Sequence, residues 1–142
     1  MRINTKNERE TQAIGQAIGQ ECRGGEVLAL VGDLGAGKTK LLQGLAKGLG
    51  IKTRVNSPTF NILKIYKGNK RTSSVKIFCH IDAYRLKLAK DLINLGVKES
   101  LGRPDTVVAI EWAEKVRAIW PKKTIVIKIK HLGEDKREIL IK

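Results

Sequence analysis

"VGDLGAGKTK", residues 31 to 40, decides the fold. Gly32, four further residues, then Gly37, Lys38 and Thr39 satisfy the spacing G-x-x-x-x-G-K-[ST] of a phosphate-binding loop. The spacing has a physical reason. Glycines let the backbone curl so that successive N–H groups point at phosphate oxygens, and a helix that starts at the loop adds the positive end of its dipole. Lys38 is expected to reach the β and γ phosphates, and the Thr39 hydroxyl to ligate Mg²⁺. Asp33 reads chiefly as a turn former. With Gly35, Ala36, Gly37 and Lys40 it completes the expected nucleotide contacts.

The flanks strengthen the reading. "EVLALV" at 26 to 31 has the composition of a buried strand, and "KLLQGLAKGL" at 40 to 49 restores helical spacing through Leu41, Leu42, Leu45, Ala46 and Leu49. Upstream, Thr5 and Glu8 have capping-box spacing. They precede an apolar face of Ala13, Ile14, Ala17, Ile18 and Cys22 that ends at Gly24 and Gly25. Downstream, "FNILKIY" and "VKIFCHI" flank the polar turn "KGNKRTSS", which predicts an antiparallel hairpin. "LKLAKDLINL" predicts a helix that stops at Gly96, "TVVAI" a short buried strand, and "WAEKVRAIW" a short helix closed by Pro121. "TIVIKIKHL" and "REILIK" make a closing hairpin around "GEDK". Strands that alternate with helices and also form hairpins predict an α/β fold: a three-layer P-loop NTPase-like domain with a mixed β-sheet flanked by helices. At 142 residues one such domain, covering 1–142, is expected.

A phosphate loop needs acids, because Mg²⁺ keeps most of its waters and carboxylates order them. Glu111 follows "TVVAI" as a Walker B acid does, and Asp82 follows "VKIFCHI", so both are expected at one edge of the sheet. A strand-end carboxylate or a helix N-cap would look the same in sequence. His80, two residues before Asp82, shares its strand face. "NSPTF" at 56 to 60 carries Ser57 and Thr59 beside a stiffening Pro58, as a switch segment or an ordinary loop would.

Composition bounds the function. With 42% hydrophobic and 30% charged residues, the chain reads as globular rather than disordered. No stretch approaches the roughly 20 apolar residues of a membrane span, and "MRINTKNERETQ" has no signal core, so a cytoplasmic location is expected. Cys22 and Cys79 lack CxxC spacing and read as core residues. The net charge of +14, from 28 Lys and Arg against 14 Asp and Glu, suits a polyanionic partner. The densest clusters, "KIYKGNKR" and "WPKK", lack aromatics interleaved for base stacking.

"GDLGAGKT", "SPTF", "HIDAYRL" and "IEWAEKV" occur here in one order and spacing, and in them the chain resembles the TsaE (YjeE) family of bacterial P-loop ATPases over nearly its whole length. The resemblance implies a role in threonylcarbamoyladenosine modification of tRNA alongside TsaB and TsaD, with ATP and Mg²⁺ bound and weak hydrolysis in isolation. It implies that Lys38 and Thr39 serve phosphate and metal, and that Thr59 belongs to a switch-like segment. It further implies Asp82 near the site, Glu111 binding metal or orienting water, and Trp112 beside the nucleotide. Lys40 stands where the family usually has a second threonine, and Ala83 where a larger apolar residue is commoner.

Three rivals use the same residues differently. A small-molecule kinase would need an arginine-bearing lid, for which "VKESLGRPD" at 97 to 105 offers only Arg103. A GTPase would need an NKxD segment, and "NKRT" lacks the acid. A basic RNA-binding module could hold nucleotide merely as a structural ligand.

Overall fold

A computed structural model describes residues 1–56, 61–69 and 74–142. In chain order the elements are β1 (Arg2–Thr5), α1 (Glu8–Glu21), β2 (Val27–Val31), α2 (Lys38–Gly48), β3 (Leu63–Lys67), β4 (Ile77–Asp82), α3 (Ala89–Ile93), β5 (Thr106–Glu111), β6 (Ile125–Gly133) and β7 (Lys136–Ile141). Short 3-10 segments occupy Val97–Glu99 and Ala113–Ile119. The strands form one mixed sheet in the order β1-β7-β6-β2-β5-β4-β3. Its centre, β6-β2-β5-β4, is parallel, and the β3/β4, β6/β7 and β1/β7 pairs at its two sides are antiparallel.

Period-two alternation divides the core. Leu28 and Leu30 of β2 pack with Leu41, Leu42, Leu45 and Leu49 of the α2 region on one face. Val27 and Ala29 pack on the other face with Leu92, Val97, Ala113 and Val116. Every residue of β5 is buried, as a strand covered on both faces requires. The expected three-layer α/β architecture with a mixed sheet is thus the observed one. Cys22 and Cys79 are free and buried, and burial pushes their thiols up to about 12 and about 11. Among the described residues no helix is long and apolar enough to cross a membrane.

Three local expectations change. The cap of α1 is Asn7, whose Oδ1 accepts from Glu10 N at 2.9 Å, while the Glu10 carboxylate accepts from Lys6 N at 2.7 Å. Thr5 instead ends a strand, buried, with its hydroxyl 2.8 Å from that of Thr11. The helix expected over "LKLAKDLINL" shrinks to the five residues of α3, because Leu88 keeps an extended backbone, with its N–H bonded to the Asp91 carboxylate at 3.2 Å. Leu88 and Leu95 remain solvent-facing while Leu92 is buried. The segment after β5 is a kinked 3-10 helix rather than an α-helix, entered through Trp112 at φ 55°.

The face of α1 that packs on α2 is also not the one its apolar pattern suggests. Ala13 and Ala17 are exposed, and the buried positions are Thr11, Gly15 and Gly19. A Cβ on Gly15 would lie 2.0 Å from the Leu41 carbonyl oxygen, and one on Gly19 would lie 2.3 Å from that of Leu45. From the other side, a Cβ on Gly44 would lie 1.9 Å from the Gln12 carbonyl oxygen, and one on Gly48 would lie 2.2 Å from that of Gln16. The two helices therefore meet backbone to backbone. Gly44→Ala should lower stability by about 1 kcal/mol, since overpacking costs about 2 kcal/mol and is only partly offset by the roughly 1 kcal/mol gain in helix propensity. Urea unfolding measures this, and an unchanged or raised midpoint would show that the seam has slack.

Candidate nucleotide site

The loop at residues 32–39 joins the end of β2 to the start of α2. Gly35 and Gly37 hold φ of 76° and 105°, the left-handed region that glycine adopts at least cost. Among the described residues no side chain caps α2, whose first turn contains no acid, so the positive end of its dipole faces the pocket beside the loop. That pocket has a volume of about 400 Å³ and is lined by residues 34–40 together with Asp82, Glu111, Trp112 and others.

Lys38 lies almost wholly beneath the surface, 5% exposed. Its ammonium folds back on the loop, donating to the Gly32 carbonyl and, at 2.8 Å, to that of Asp33. The same nitrogen sits 3.9 Å from the centre of the Trp112 ring, within cation–π range. Burial pushes the Lys38 ammonium below the ordinary lysine value, and the carboxylates of Glu111, Glu114, Asp33 and Asp82 pull it partly back.

Strand pairing delivers the acids. β4 and β5 are parallel neighbours whose register sets Asp82 opposite Glu111 at their C-terminal ends, the end of a parallel sheet where ligands bind. Thr39 Oγ1 donates to Glu111 Oε1 at 3.2 Å, and His80 Nε2 lies 2.8 Å from Glu111 Oε2. The carboxylate can only accept, so Nε2 carries the hydrogen. His80 is completely buried, and its Nδ1 has no hydrogen-bond partner among the described residues. Asp82 accepts from Tyr84 N at 3.0 Å. Burial raises the Asp82 carboxyl above its ordinary value, the Tyr84 N–H opposes this, and Glu111 adds to it.

The structure thus brings Gly35, Ala36, Gly37, Lys38, Thr39, Lys40, Asp82, Glu111 and Trp112 to one pocket. Asp33 is placed differently: its side chain is exposed outside the pocket, and it meets Lys38 through its backbone carbonyl. Lys40 stands at the mouth, 3.4 Å from Glu8. Thr59 lies outside the described residues. Arg85 is exposed and does not line the pocket. Arg137 of β7 does, and sequence reasoning missed it. It is nearly buried, donates to the Gly35 carbonyl at 3.4 Å, and would touch a Cβ on Gly37 at 3.1 Å. Only the sheet order brings it there. His80 carried a clue in its two-residue offset from Asp82, but its bond to Glu111 depends on the neighbouring strand.

A glycine loop between a parallel strand and a helix start, with a lysine inside it and acids at the adjoining strand ends, defines a P-loop NTPase-like nucleotide-binding fold. Residues 5–139 match the family model described as "Threonylcarbamoyl adenosine biosynthesis protein TsaE". The chain belongs to the TsaE family. It is 35% identical to a protein of Treponema pallidum (strain Nichols) named "tRNA threonylcarbamoyladenosine biosynthesis protein TsaE", over 99% of this chain and 99% of that one. A protein of the same name from Bacillus subtilis (strain 168) is 39% identical over 98% of this chain and 83% of its own length. Among solved structures, the crystal structure of Bacillus subtilis YdiB matches with a TM-score of 0.77 and 37% identity, covering 98% of this chain and 82% of that one.

Proposed function

We propose that this chain is an ATP- and Mg²⁺-dependent accessory ATPase of threonylcarbamoyladenosine biosynthesis on tRNA, acting as a timed clamp on TsaB and TsaD homologues. Its family supplies the pathway. One observation carries the chemistry: Lys38, Thr39, Asp82 and Glu111 line a single pocket at the uncapped start of α2.

Phosphates entering that pocket meet the loop amides first. The Lys38 ammonium then leaves two neutral carbonyls for charged oxygens, a stronger partnership for a desolvated cation. Thr39 Oγ1 and the Glu111 carboxylate are hard oxygen donors side by side, which fits Mg²⁺. When bound, that ion would neutralise developing charge on the γ-phosphate. His80 holds one oxygen of Glu111 and leaves the other toward Thr39. Glu111 or Asp82 orients the attacking water, and Lys38 with the loop amides stabilises the transferring phosphoryl group. Arg103, the arginine that the 97–105 stretch offers for a kinase-like lid, pairs with Asp105 at 2.9 Å and does not line the pocket.

Mixing the purified chain with TsaB, TsaD and ATP tests the proposal, with complex formation and turnover followed together. Turnover that rises only with the partners supports it. Phosphorylation of a metabolite by the chain alone replaces it with a kinase.

A spectroscopic prediction follows from the cation on the indole. Transfer of the Lys38 ammonium from Trp112 to phosphate should change Trp112 emission in proportion to bound nucleotide. The change should persist in Trp120→Phe and vanish in Trp112→Phe. A nucleotide titration monitored by tryptophan fluorescence checks this, and a signal that survives Trp112→Phe rules out the coupling.

A further inference from the structure

Beside the nucleotide site, α2 and the segment that follows it enclose a second pocket, of about 570 Å³. Lys40, Lys47, Lys52 and Arg54 line it, and among the described residues no carboxylate does. Its neutral polar lining is Gln12, Gln43 and Thr53. The floor is built rather than collapsed. Gln43 Nε2 donates to the Val55 carbonyl at 3.1 Å, and Ile51 N donates to the Ala46 carbonyl at 2.9 Å, which ties the 51–55 segment against α2. Neither dense lysine cluster of the sequence contributes: two cations come from α2 and two from the segment after it, and the pairs meet only in the fold.

We propose that this pocket binds the phosphodiester backbone of single-stranded RNA. Lys40 shares its charge with Glu8 at 3.4 Å, but Lys47, Lys52 and Arg54 form no ion pair among the described residues, and a lining of cations without a carboxylate selects a polyanion. The apolar lining residues Ala46, Ile51 and Val55 are 2%, 7% and 3% exposed, so the pocket presents no apolar anchor of the kind that holds a peptide at a protein interface. Among the described residues no aromatic ring lines it, so the contacts it offers are to phosphate charge and not to base sequence. Lys40 lines this pocket and the nucleotide pocket alike, so RNA bound here lies against the nucleotide site without entering it.

The test is fluorescence anisotropy of a labelled 15-nucleotide oligouridylate with the full chain across a KCl series, with and without saturating Mg·ADP. The expected result is binding that ADP leaves intact. Four phosphate contacts give a slope of log K against log salt of about −2.8, at about −0.7 per contact on a single strand. The variant Lys47→Glu/Lys52→Glu/Arg54→Glu should lose at least about tenfold in affinity at low salt, with the slope falling toward about −0.7. Its melting curve and ADP affinity should match the parent. A control that reverses Lys98, Lys122 and Lys123, none of which lines the pocket, should bind RNA within about twofold of the parent. Equal losses in the two variants would reduce the effect to net charge and overturn the site. RNA displaced by ADP would be occupying the nucleotide pocket instead. A labelled polyglutamate peptide that binds as tightly as the RNA would make the occupant an acidic protein segment, and no RNA binding at low salt would end the proposal outright.

Discussion

Lys38→Ala should weaken ATP binding at least about a hundredfold, because two charge-assisted hydrogen bonds of roughly 1.5–3 kcal/mol each disappear from a desolvated site. The ammonium sits 5% exposed against two loop carbonyls and the Trp112 ring, so its loss removes the loop's one buried cation without touching the sheet or the helix seam. Lys38→Met keeps an unbranched aliphatic side chain without the charge and should reproduce the loss of affinity. Calorimetric titration with ATP and Mg²⁺ reads the effect, and circular dichroism shows whether the fold persists. Parent-like affinity in both variants would remove the phosphate site from this loop.

Glu111→Gln should separate binding from turnover. The amide preserves shape, can still accept from His80 Nε2, and can meet the Thr39 hydroxyl, so nothing buried is stranded. What goes is the charge proposed to hold a metal and to orient water. A loss of about 10²–10³ in kcat is expected, the range for one positioned group acting in the transition state, with nucleotide affinity changed by less than about fivefold. Because the proposed role is exercised with partners, turnover should be measured in their presence. Glu111→Ala is the poorer probe, because it leaves the His80 Nε2–H buried without an acceptor, and any loss of rate then mixes chemistry with stability. Parent-like turnover in Glu111→Gln would pass the role to Asp82, whose raised carboxyl sits one strand away.

How far the sequence could be read depended on the range of the interactions. The strand–loop–helix around residues 31–40, the all-buried β5 and the two hairpins are written in local periodicity and turn chemistry, and they stand where expected. That Asp82 and Glu111 reach one edge of the sheet was also legible, because both end buried strands, whereas the β4/β5 pairing that sets them opposite one another was not. β1 was not, since four residues, "RINT", carry too little alternation and the strand exists through its pairing with β7. Thr5 and Glu8 imitated a capping box two residues too early, and the real cap uses Asn7 and Glu10. Arg137 reaches Gly35 across 102 positions of sequence, a separation no motif spans. Four helical glycines were the least legible feature. Glycine ordinarily weakens a helix, so a face made of glycine hides from any search for apolar side chains.

That face has a mechanical consequence. Side chains between two helices act as a cushion that can repack, whereas carbonyl oxygens set directly against Cα atoms leave nothing to compress. α1 and α2 are therefore welded into a single strut. Any tilt that a bound ligand imposes at the Lys38 end is carried along the strut to Gly48, past the basic pocket that Lys40 and Lys47 line.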